Sequence, residues 1–106
     1  MRVELDMFSG RPNPIWDLDE GAERELLELE SNLEPAGRAA DEPPPLGYRG
    51  FIYSDDSGGR RVFDGVLTKG GQRYKDSDYG IERLLIASIP SEWSMLRDSL
   101  PERHEP

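Results

Sequence analysis

The sequence predicts a single α+β domain: one antiparallel sheet, built from an N-terminal hairpin and a three-stranded meander, covered by two main helices and a short C-terminal helix. Three observations lead to that class. Apolar residues alternate over residues 1–7 and again within 47–75, the period of half-buried strands. Between those stretches, and again after residue 78, leucines and isoleucines recur every three or four positions, the period of an amphipathic helix. At 106 residues and 12.0 kDa the chain has room for one core and not for two.

Taken in order, Val3, Leu5 and Met7 alternate with Arg2, Glu4 and Asp6 and open the first strand. The segment Ser9-Gly10-Arg11-Pro12-Asn13-Pro14 follows. Proline fixes its own φ and disfavours the α region for the residue before it, so neither Arg11 nor Asn13 is helical and the loop is stiff. Residues 15–18 return as the second strand. Asp17 or Asp19 caps the first helix, with Glu20 at capping-box spacing from Asp17. Leu18, Ala22, Leu26, Leu29 and Leu33 form its apolar stripe. Glu20, Glu23, Glu25, Glu28 and Glu30 fill its other faces, Arg24 lies four positions from both Glu20 and Glu28, and Pro35 ends it.

Residues 34–46, with Pro43, Pro44 and Pro45, form a proline-rich linker loop inside the domain. An aromatic strand over 47–54 is followed by an Asp/Ser/Gly turn, a strand over 62–68, a turn at Lys69, Gly70 and Gly71, and a short strand over 72–75. Asp76 or Asp78 caps a second helix carrying Ile81, Leu85 and Ile89, and Pro90 closes it. Ser91 starts a last short helix that turns Trp93, Leu96 and Leu100 inward. Residues 101–106 form a flexible tail, so the domain occupies 1–100.

Thirteen basic and 22 acidic side chains give a net charge of -9, and the pI is near 4.5. Binding phosphates requires cations, so the balance opposes a nucleic-acid partner. The acidity is local: residues 1–34 hold three basic and ten acidic side chains, whereas 48–83 hold seven and six. There is no Cys, and the single His104 lies in the tail, which removes disulfides, thiolate metal sites and Cys- or His-based nucleophilic catalysis. Asp76, Asp78 and Gly80 suggest a calcium loop, but the positions that an EF-hand gives to Gly and Glu hold Ile81 and Ala87. No apolar run reaches the ~18 residues of a membrane helix, and the first residues lack the apolar core of a signal peptide. The expectation is a cytoplasmic, non-enzymatic protein with no cofactor, no metal, no catalytic residues and no membrane partner.

Two stretches are candidates for binding. The first contributes Ser9, Arg11, Asn13 and Trp16. Rigid loops lose little entropy on binding, and Arg and Trp dominate interface energies. An internal acid such as Asp6 is the competing partner for Arg11. The second is Gly47-Tyr48-Arg49-Gly50-Phe51, with Tyr53 beyond it; core packing of its aromatics is the competing reading. Two functions stay open. One is a protein- or peptide-binding module of accessory, inhibitor or immunity type, using the Arg/Trp loop and an acidic helix suited to a basic partner. The other is a small anionic-metabolite-binding protein or minimal enzyme using Arg11, Arg49 and Tyr48. A homodimer with Trp16 or Trp93 in its seam is also open.

The stretches FSGRPNPIW (8–16), LGYRGF (46–51) and YGIERLLIAS (79–88) are similar to small uncharacterised bacterial proteins that carry an FSGRPNP signature. The resemblance spans residues 1 to about 90 and implies no particular activity.

Overall fold

Every strand among the described residues joins one antiparallel sheet. In this computed structural model the described residues are 1–7, 12–36 and 47–100. The strands are β1 (Arg2–Leu5), β2 (Ile15–Asp17), β3 (Glu34–Pro35), β4 (Phe51–Asp55), β5 (Gly58–Phe63), β6 (Val66–Lys69) and β7 (Gln72–Lys75), in the spatial order β2-β1-β4-β5-β6-β7-β3. Helix α1 (Glu20–Ser31) follows β2, and α2 (Gly80–Ala87) follows β7 after a 3₁₀ turn at Ser77–Tyr79. The α+β class is as expected, and the radius of gyration of 13.0 Å matches the ~13 Å of a folded domain of this length.

The register explains which face is buried. Trp16, Val3, Tyr53, Arg60 and Lys69 stand opposite one another across the strands, and Leu5, Phe51, Val62, Leu67 and Tyr74 form the next row on the same face. Against these rows pack Leu26 of α1 and Ile81 and Leu85 of α2, all fully buried, with Leu18 and Ile89 beside them. The opposite face carries Glu4, Ile52, Arg61, Thr68 and Arg73 in one row, a mixed polar set.

Three details differ from the sequence reading. The stretch expected as one strand over 62–68 is two, because Asp64 and Gly65 turn it. Both have positive φ (50° and 81°), the signature of a tight hairpin whose twist suits its flanking strands, so the meander has four strands rather than three. Glu34 and Pro35, assigned to the linker, pair with Lys75 and Tyr74 at the sheet edge, where proline is tolerated. The last helix is 3₁₀ over Ser91–Ser99; its three-residue turn puts Trp93 and Leu96 on one side, both half-buried.

The helices start as the sequence indicates. Asp19 caps α1 by accepting the Ala22 N–H at 2.8 Å. Asp76 caps α2 from a distance, its two oxygens accepting the Ile81 and Glu82 N–H groups at 2.8 and 3.0 Å, a favourable place for a carboxylate at a helix N-terminus. No described helix is long and apolar enough to cross a membrane. Residues 37–46 of the linker loop and 101–106 of the expected tail lie outside the described residues.

Candidate functional site

Strands β1 and β2 hold the two ends of the proline-braced loop. Ser9 and Arg11 lie outside the described residues, but the stems that carry them do not. Asn13 ties the stems together: its Oδ1 accepts the Met7 N–H at 3.2 Å, and its Nδ2 donates to Glu4 Oε2 at 2.9 Å and to Asp6 Oδ1 at 3.4 Å. Pro14 is buried, and its carbonyl accepts the Leu5 N–H at 3.0 Å. A short amide is suited to this role, since one side chain supplies both an acceptor and two donors.

Asp6 is the centre of this base. It is 7% exposed, and its Oδ2 accepts Arg61 Nη1 at 2.9 Å with Arg49 Nη1 at 4.0 Å. Its backbone bonds to Gly50 and Arg49 at 3.0 and 2.7 Å, which extends the β1–β4 ladder past the end of β1. Arg61 also donates to the Arg49 carbonyl at 3.0 Å. Two carboxylates, two guanidinium groups and one amide thus brace each other directly beneath the loop. Arg49 and Arg61 each keep more than a third of their side-chain surface in solvent.

The aromatic members of the expected binding set are in the core. Trp16 packs edge-on against Phe51 and donates its indole N–H to Ser88 Oγ at 3.0 Å. Tyr48 is buried against Phe51 and Phe63, and its hydroxyl donates to the fully buried Glu82. Tyr53 is 2% exposed beneath the Arg60 guanidinium. Burial, and then the negative charge of Glu30, hold its phenol far above the usual range. Their shared place is the inner face of the sheet and its border, so they fix the shape of the site from behind. Asn13 and Arg49 are the described candidates that meet, through Asp6.

A second polar cluster escaped the sequence reading. Arg60 is nearly inaccessible and uses all five of its N–H donors: Nε on Glu30 at 3.0 Å, Nη1 on Asp55 at 2.5 Å and on the Gly58 carbonyl at 2.6 Å, Nη2 on Asp55 at 3.0 Å and on Ser57 at 3.1 Å. Those hydrogen bonds from Arg60, and then those from Ser57, hold the Asp55 carboxyl well below the usual carboxylate range. Residues two apart in a strand share a face, so Arg60 follows Val62 inward. That signal is present in the sequence, in the two-residue spacing of Arg60 from Val62. The arrangement clamps the C-terminal turn of α1 to the β4–β5 hairpin.

Among the described residues, no three carboxylate or imidazole groups converge as metal ligands would. No protein-family model, curated protein or solved structure matches this chain.

Proposed function

We propose that the protein is a non-enzymatic protein- or peptide-binding module, of accessory, inhibitor or immunity type, whose primary contact is the loop that carries Ser9 and Arg11. The observation that carries this reading is the Asn13 amide, which ties Met7, Glu4 and Asp6 across the base of the loop. A connector between two short strands needs to turn, but it does not need both stems fixed by one buried-side network. A segment held that way loses less conformational entropy when it meets a partner, and such preorganisation is what makes a loop a good binder. The acidic outer face of α1 adds a field that speeds encounter with a basic partner.

The metabolite-binding alternative is less well supported, because Tyr48 spends its hydroxyl on Glu82 inside the core and Arg49 faces Asp6. The test compares tagged parent with Arg11→Ala for partner capture and for melting temperature. Loss of capture at unchanged melting temperature is the expected result. Unchanged capture with a large drop in stability would make the loop a structural brace and end this reading. A melting-temperature rise on adding one phosphate, nucleotide or carboxylate would favour the alternative, since ligands of the folded state raise it.

A further inference from the structure

Helices α1 and α2 approach closely where Gly80 opens α2. At that end a Cβ on Gly80 would stand 3.7 Å from Leu29 Cδ2. From there a groove of about 720 Å³ opens between them. Its α1 wall is the stripe Ala22, Glu25 and Leu29 and its α2 wall the stripe Gly80, Leu84 and Ala87, each at helical three- and four-residue spacing. The space exists because alanines occupy the open end of both walls, where larger apolar residues would close the helices together. Leu18, Leu29, Leu84 and the two alanines give the apolar part of its lining, and polar side chains give the rest. Asp17, Asp19 and Glu25 rim it on the β2–α1 side, against the single cation Arg83 on α2.

The geometry points to a docking groove for a cationic amphipathic helix of a partner protein. The apolar part of the lining matches one face of such a helix. The carboxylates of Asp19 and Glu25, beside an Asp17 that pairs with Arg2 at 3.7 Å, outnumber the Arg83 guanidinium and match lysines or arginines flanking that face. The walls run about two helical turns, the reach of a few anchors at i, i+3 or i+4 and i+7. A second copy of this chain is disfavoured as occupant, because a net charge of -9 repels it from an acidic rim. This proposal shares with the previous one only the premise that the protein is a binder; no residue lining the groove belongs to the segment that carries Ser9 and Arg11.

The probe is a fluorescent helical peptide of about 14 residues, leucine on one face and lysine elsewhere, with a scrambled peptide of equal composition as control. Anisotropy should show the amphipathic peptide binding at least about tenfold tighter than the scrambled one, and progressively weaker as salt rises. Asp17→Lys/Glu25→Lys and, separately, Ala87→Arg should each weaken it by at least about tenfold, with unchanged circular dichroism. Amide shifts should map to residues 17–29 and 80–88. Arg11→Ala should bind the peptide as the parent does, so failure of the loop reading and failure of the groove reading are distinguishable. Equal binding of both peptides, insensitivity to the groove variants, shifts elsewhere, or no binding would each overturn the proposal.

Discussion

Replacing Arg60 with methionine tests how far the α1–hairpin clamp holds the fold. Methionine keeps an unbranched stem over the Tyr53 ring and removes the charge. Glu30 is then stranded: its side chain is 10% exposed, its Oε1 loses the Arg60 bond, and its Oε2 is already shielded with no hydrogen-bond partner. Asp55, 31% exposed, relaxes into water instead. Removing one member of a buried pair costs about 3–5 kcal/mol; with only one carboxylate trapped, the lower end applies, so about 3 kcal/mol is expected. At an m-value of about 1.5 kcal/mol/M, the urea midpoint falls by about 2 M. The double variant Glu30→Met/Arg60→Met removes both charges and should lie within about 1 kcal/mol of the parent. A single variant as stable as the parent, or a double variant as unstable as the single, would refute the claim that Glu30 depends on Arg60.

Three further outcomes are expected. Asn13→Ala should destabilise by about 1–2 kcal/mol, with faster hydrogen exchange at the Met7 amide; unchanged exchange there would remove Asn13 as the tie of the loop base. Tyr53→Phe deletes a shielded hydroxyl that has no hydrogen-bond partner and should leave neutral-pH stability equal or higher by up to about 1 kcal/mol. Because the folded phenol titrates above its unfolded value near 10, stability is intact below that pH and lost as pH rises beyond it. The Tyr53→Phe melting temperature should therefore fall less between pH 9 and 12 than the parent's, and parallel curves would contradict this. Gly50→Ala should destabilise by about 3 kcal/mol or more in urea titration. Its backbone has φ +100°, and a Cβ there would stand 2.4 Å from the Val62 carbonyl oxygen; near-parent stability would mean that the β4–β5 contact yields easily.

Local pattern made much of this architecture legible. The stripe from Leu18 to Leu33 describes the buried side of α1, and of the two aspartates offered as its cap, Asp19 serves. The Asp64–Gly65 hairpin is hidden in the sequence because apolar residues continue on both sides of it, and only the register shows that Val66 faces away from Val62. The positions of Trp16 and Tyr48 were beyond local reading. Their polar atoms bond Ser88 and Glu82, 72 and 34 residues away, and no periodicity near residues 16 or 48 encodes those partners. Asn13 reads in the sequence as a binding candidate within a stiff loop; its bonds to Glu4 and Asp6 depend on the strand pairing that only the folded chain supplies.

The placement of β1 between β2 and β4 has a consequence for synthesis on the ribosome. The first strand to emerge has to wait for residues 51–55 before its second neighbour exists, and Trp16 waits for Ser88. Chains that end before residue 61 lack the full set of Asp6 contacts with Arg49, Gly50 and Arg61, and chains that end before residue 88 lack the partner of the Trp16 indole. The N-terminal hairpin therefore completes its packing only after most of the chain has been made.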